Sequence, residues 1–107
     1  MVVFCEYVVE SRHRDAYLKW VRSDPERWAG VELAENEGQP GVFVEIRRAS
    51  GPEEALEMEK ERRDGRSWQA MLAWIKGGSD GLRIWRFRPV PTGRPQSFPP
   101  SRTEGCN

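Results

Sequence analysis

The chain has 107 residues, with 17 Lys and Arg set against 17 Asp and Glu, one His, two Cys and five Trp. That length makes one domain with a single modest core, and formal neutrality leaves no bulk field to draw a nucleic acid or an anionic membrane. No apolar run approaches the roughly 18 residues that span a bilayer. The opening Met1–Phe4 stretch is interrupted by Glu6 too soon for a secretion signal, so a cytoplasmic protein is expected.

Val2 to Val9 forms a β-rich run that contains Cys5. Ser11 is placed to cap a helix, Asp15 suits its first turn, and Tyr17, Trp20 and Val21 recur at helical spacing with His13 four residues before Tyr17. Asp24-Pro25 opens a short helical piece through Trp28, which Gly30 ends. Val31–Glu37 and Val42–Arg48 read as strands joined by the turn Gly38-Gln39-Pro40-Gly41. Gly51-Pro52 then opens a long helix rich in Glu and Arg. Gly65 interrupts it, and Ser67 recaps a second amphipathic segment with Trp68, Met71, Leu72 and Ile75. Gly77-Gly78 closes this segment, and Leu82–Phe87 is the last strand.

Residues 1–90 therefore make one domain. Residues 91–107 carry Pro91, Pro95, Pro99 and Pro100 with few apolar groups, and read as an extended or disordered tail. Cys5 and Cys106 do not form a disulfide framework, and with His13 they lack the spacing of a metal site, so neither metal nor other cofactor is expected.

The order β-α-β-β-α-β predicts an α+β, ferredoxin-like fold. It has a four-stranded antiparallel sheet, strands 1 and 3 at its centre, and helices on one face. Alternation assigns Val3, Cys5, Tyr7, Val9, Val31, Leu33, Val42, Val44, Ile46, Leu82 and Ile84 to the helix-covered face. The other face then carries Phe4, Glu6, Val8, Phe43, Glu45, Arg47, Arg83, Trp85 and Phe87. Aromatics interleaved with Glu and Arg are unlike a solvated sheet surface, and predict a homodimer formed through this open face around a pocket.

With its element order and mixed open face, the chain resembles the dimeric α/β-barrel superfamily over about residues 1–88. The stretch Gly65-Arg66-Ser67-Trp68-Gln69-Ala70-Met71-Leu72 is similar to an aromatic-Gln-Ala-hydrophobic pattern that many members carry. Its branches include antibiotic-biosynthesis monooxygenase-like and NIPSNAP-like domains. The resemblance implies a homodimer with a cavity between sheet and helices in each subunit. It also implies, for the monooxygenase-like branch, oxidation of phenols without metal or flavin. The haem-degrading branch pairs a helix-2 Trp with an Asn on strand 1 and a nearby His. Here Trp68 matches the Trp, but Glu6 stands on strand 1 and no His follows residue 13, which argues against haem degradation.

Several side chains carry two readings. Glu6 and Glu45, among Phe4, Phe43 and Trp85, are placed to have raised pKa values and act as general bases, with Glu6 the better candidate. The alternative is neutralisation by Arg47, Arg83 or a partner's Arg. His13 is either a proton shuttle or a polar group at a helix start. Trp68 and Trp85 either stack on a small aromatic ligand or pack, whereas Trp20, Trp28 and Trp74 read as packing.

The predicted function is thus a homodimeric small-molecule-binding barrel protein. As an enzyme it is a cofactor-free oxygenase or isomerase of an enolisable or phenolic substrate, with Glu6 abstracting the proton and Arg47 or Arg83 stabilising the anion. The alternative is a non-catalytic dimer with Glu6 and Glu45 bridged across the symmetry axis, and acidic strand 2 complementing basic strand 4. An RNA-recognition module would present Phe4 and Phe43 on strands 1 and 3, but the expected Arg-Gly-aromatic run is absent and the net charge is near zero.

Overall fold

The computed structural model describes residues 1–93, so Cys106 and the predicted tail from residue 94 onward lie outside the described residues. Strand β1 (Val2–Val8) is followed by a 3-10 turn (Ser11–His13) that runs into helix α1 (Arg14–Ser23). A second 3-10 turn (Pro25–Trp28) leads to strands β2 (Val31–Glu35) and β3 (Val42–Arg48). Helix α2 (Pro52–Asp64), three further 3-10 turns and strand β4 (Arg83–Phe87) complete the described fold. The sheet order is β2-β3-β1-β4 with antiparallel pairing throughout. This is the predicted ferredoxin-like sheet with β1 and β3 at its centre.

Two local expectations are corrected. Ser11 makes no side-chain cap; it belongs to the 3-10 turn, and the α-helix starts three residues later. The amphipathic helix predicted after Gly65 is instead a pair of 3-10 turns, Arg66–Trp68 and Ala70–Trp74. The chain leaves the helix at Gly65, whose backbone is extended (φ −61°, ψ 138°) and so close to Glu61 that an added Cβ would lie 2.4 Å from its carbonyl oxygen. Gln69 then ties off the end of α2, its Nε2 donating to the carbonyls of Arg63 (3.1 Å) and Gly65 (3.0 Å). Helix carbonyls without an intrahelical partner need such donors.

The largest correction concerns β3. Register pairs Val3 with Arg47, Cys5 with Glu45 and Tyr7 with Phe43, so Phe43, Glu45 and Arg47 lie on the helix-covered face, where all three are buried. Val42, Val44 and Ile46 therefore line the open face, the reverse of the predicted parity. Both parities of this strand carry apolar groups, so hydrophobic alternation favoured the one without charges. The charged parity is inside because α2 supplies a partner there. On β1 and β4 the parity is as predicted, with Phe4 opposite Trp85 and Glu6 opposite Arg83 on the open face.

The core lies between the sheet and the helices. Val3, Cys5, Tyr7 and Val9 meet Tyr17 of α1, Ala55 of α2, and Met71 and Ile75 from the turns. Helix α2 is charged around most of its surface, and Ala55, Met58 and Arg62, at helical spacing, form its inward stripe.

Gly81 gives a direct test of this packing. A Cβ there would lie 1.9 Å from the Lys76 carbonyl oxygen, whereas at Gly30 (φ +75°) it meets open space. Gly81→Ala is expected to destabilise by at least about 3 kcal/mol. Gly30→Ala, which adds only left-handed strain, is expected to lose about 1–2 kcal/mol. Urea unfolding of the two variants measures the difference.

Candidate functional site

At the centre of the helix-covered face sits Glu45, fully buried, with hydrogen bonds to both oxygens. Arg62 grips it bidentately, Nε to Oε1 at 2.7 Å and Nη2 to Oε2 at 2.9 Å. Arg47 Nη1 donates to Oε1 at 2.8 Å, and the Tyr7 hydroxyl donates to Oε2 at 2.6 Å. Tyr17 Oη lies 2.6 Å from Tyr7 Oη. Because the single Tyr7 proton is directed at Glu45, Tyr17 is the donor, and α1 is linked through Tyr7 to the sheet.

These contacts decide the protonation states. Burial alone pushes the Glu45 carboxyl up, but the Arg62 hydrogen bonds and charge, the Arg47 charge and the Tyr7 hydrogen bond outweigh it and hold it below the usual carboxylate range. Glu45 is thus a locked anion and a poor general base. Burial, with the Glu45 charge beside it, raises Tyr7 well above the ordinary phenol value. It also pushes the Cys5 thiol up to about 12. Tyr7 and Cys5 are neutral at physiological pH.

Beside this network a cleft of about 420 Å³ opens between the sheet and α2, near the β2–β3 edge. Val31, Met58 and Trp68 give it apolar walls, and Arg27, Arg47 and Arg62 line it with guanidinium groups. The Arg62 guanidinium lies 4.3 Å from the Trp68 ring centroid and that of Arg47 lies 5.1 Å from it, within cation–π range. Trp68 is held from behind by Trp28 (5.2 Å between centroids) and Trp20 (6.0 Å).

The structure thus separates the predicted site residues. Glu45, Arg47, Trp68 and Phe43 lie on the helix side, with Arg47 and Trp68 lining the cleft and Phe43 packed against Tyr17 (4.7 Å between centroids). Phe4, Glu6, Arg83 and Trp85 lie on the opposite face of the sheet, where Phe4 stacks on Trp85 at 5.9 Å. His13 stands partly exposed at the start of α1, 3.8 Å from Glu10, and does not line the cleft.

A Glu45 salt bridge across a symmetry axis at the open face is excluded, because Glu45 faces its own helices. Within the chain the acidic strand 2 and basic strand 4 do not complement each other: Glu35 pairs with Arg14 and Arg86 with Glu59. The RNA-recognition reading fails for the same reason as the parity: Phe43 is buried under helices, leaving Phe4 without its partner. Among the described residues no group of three His, Cys, Asp or Glu side chains is arranged to hold a metal ion, and no helix is long and apolar enough to cross a membrane.

Sequence reasoning missed Arg62, Arg27 and Tyr7. Arg62 carried a readable signal, since it falls four residues after Met58 and seven after Ala55, on the only inward stripe that α2 has.

Solved structures share this architecture. A crystal structure of an antibiotic biosynthesis monooxygenase superposes with a TM-score of 0.62 at 17% identity, covering 85% of this chain and 100% of that one. The fold is that of the antibiotic biosynthesis monooxygenase and NIPSNAP structures. A NIPSNAP family protein from Agrobacterium tumefaciens matches with a TM-score of 0.60 at 14% identity, over 83% of this chain and 91% of its own. Another protein from the same bacterium matches with a TM-score of 0.59 at 16% identity, over 83% and 92%. A scan of protein-family profiles and a search of curated proteins each find no match.

The locked carboxylate makes a stability prediction. Glu45→Gln strands two guanidiniums around a neutral amide, and is expected to lose about 3–5 kcal/mol, against about 1–2 kcal/mol for Tyr7→Phe. With its folded pKa depressed, Glu45 contributes stability in full above the unfolded value near ~4.3 and loses it as pH falls through the lower folded value. Urea midpoints measured from pH 5 to pH 3 should fall in the wild type and fall less steeply in Glu45→Gln.

Proposed function

We propose that this chain is a homodimeric small-molecule-binding α/β-barrel protein whose ligand occupies the Trp68 cleft. The observation that carries the reading is the cleft itself: apolar walls at Val31, Met58 and Trp68, with Arg47 and Arg62 among the residues that line it. Sites for small ligands combine such walls with a few fixed polar groups.

The chemistry this arrangement suits is cofactor-free oxygenation or isomerisation of an enolisable or phenolic substrate. Two cations beside an aromatic wall stabilise the enolate or phenolate that such reactions form, and the exposed Glu61 carboxylate on the rim is the cleft-lining group that can take the proton. Glu6 and Arg83 face the other side of the sheet, so in this reading they belong to the subunit contact and take no part at the cleft.

Dimerisation through the open face is supported by what that face exposes. Trp85 is 39% and Phe87 51% accessible, and Val8 is 38% accessible. An apolar groove of about 440 Å³ runs between Val2, Phe4, Ile46 and Phe87 on the same side. A contiguous apolar patch of this kind marks an interaction surface.

A second reading, a binding protein without catalysis, is favoured by one observation: both oxygens of Glu45 are taken by cations and Tyr7, so it is not a free base.

Light scattering coupled to size exclusion should give twice the 12.4 kDa chain mass, and the paired substitutions Trp85→Glu and Phe87→Glu should give a folded monomer. A monomeric wild type overturns the dimer. Oxygen uptake and solvent-deuterium incorporation over a panel of phenols and enolisable ketones test the chemistry. Retained ligand binding with neither signal selects the non-catalytic reading.

A further inference from the structure

We propose that the Trp68 cleft selects a small planar organic carboxylate, its oxygens held by Arg47 and Arg62 and its apolar body lying along Trp68, Val31 and Met58. This deepens the reading of the cleft as the ligand site and rests on it.

Arg62 is 1% and Arg47 7% accessible, yet the two share one buried anion, Glu45. The other polar groups around them do not provide a second negative charge, since Tyr7 and Cys5 are held neutral by burial. Glu61 stands exposed on the rim and forms no ion pair with either guanidinium among the described residues. One positive charge is therefore left over in a desolvated place, a costly arrangement without a counter-anion.

Hydrogen bonding points the same way. Arg47 Nη2 and Arg62 Nη1 are buried without a protein acceptor, and so is the Nε of Arg27, another of the arginines that line the cleft. Buried donors are almost always paired, and those of Arg are the most expensive to leave unmade. The faces turned to Glu45 are used; the remaining N–H groups of two neighbouring guanidiniums are the fork that carboxylates fit.

Two sources share this oxyanion chemistry, a carboxylate and a free phosphate. The apolar walls distinguish them. An inorganic phosphate would leave the apolar lining of Trp68, Met58 and Val31 unused, whereas a ring-bearing carboxylate lies along it.

Isothermal titration of the full chain at pH 7.5 with 2-naphthoate, its neutral analogue 2-naphthamide, and inorganic phosphate tests this. The expected result is that 2-naphthoate binds at least tenfold more tightly than either. Arg47→Gln, which leaves Glu45 gripped by Arg62, should lose at least tenfold in 2-naphthoate affinity while retaining the wild-type circular dichroism spectrum. The acid-against-amide comparison on the wild type stands even if that variant does not fold. Nuclear Overhauser contacts from 2-naphthoate to the Trp68 indole and Val31 methyls should place it in the cleft.

Equal binding of acid and amide overturns the selection for an anion and leaves the cleft as a ligand site. Tighter binding of phosphate than of 2-naphthoate overturns the planar carboxylate. Contacts to Phe4 or Phe87 instead of Trp68, or no binding by any probe, overturn this proposal and the cleft reading together.

Discussion

A carboxylate buried at the centre of a sheet is the constraint from which the rest of this molecule follows. Glu45 stands on β3 with its side chain under the helices, where an unpaired charge could not be tolerated. Arg62 must therefore come from α2 at the right height, which fixes how that helix lies on the sheet. Tyr7 must present its hydroxyl from β1, and Tyr17 must follow from α1. Apolar packing alone tolerates small slides between helix and sheet; a bidentate ion pair and a chain of hydroxyls do not. Two helices and two central strands are thereby held in one register. The same polar knot leaves Arg47 Nη2 and Arg62 Nη1 buried without a protein acceptor, on two residues that line the cleft.

Much of this was legible in the residues. Element order and sheet order followed from the turn signals at Gly38–Gly41 and Gly77-Gly78 and from three strand-like runs that alternate cleanly. Trp20, Trp28 and Trp74 read as packing from the sequence, and Trp68 carried both a packing and a pocket reading; in the structure it packs against Trp20 and Trp28 and also lines the cleft. What could not be read was the parity of β3. Its sequence Val-Phe-Val-Glu-Ile-Arg-Arg offers an apolar comb on one face and a mixed one on the other. Local pattern ranks the apolar comb as the inside. The deciding partner, Arg62, is 17 residues away in sequence, and its effect appears only once the helix is laid across the sheet. The helix expected after Gly65 is absent for a different reason: Gly65 turns to an extended backbone, and the segment after it closes as two 3-10 turns although its side-chain spacing suits a helix.

The inverted strand also changes how the two faces divide the chemistry. With Val42, Val44 and Ile46 outside, the open face is more apolar than alternation suggested, with Glu6, Glu32, Arg48 and Arg83 among its charges. The covered face is the polar one, with a tyrosine pair, a carboxylate and two guanidiniums under the helices. This is the opposite of the usual arrangement for a half-exposed sheet. It is also why formal neutrality of the chain says so little: equal numbers of acids and bases conceal a local surplus of positive charge in one dry place.

The cleft's two sides differ in how they are built. Its floor is sheet and ion pair, in which loss of Glu45 or Arg62 leaves a buried charge stranded. Its outer wall at Trp68 is a 3-10 turn held by Gly65 and the Gln69 amide rather than by a continuous helix. Such turns are short and individually replaceable. Substitutions, insertions or altered turn lengths there can reshape the opening while the Glu45 network stays intact. The molecule thus separates a part that tolerates almost no variation from a part open to it, and a lineage built on this plan would find new ligands by redrawing the rim, not the foundation.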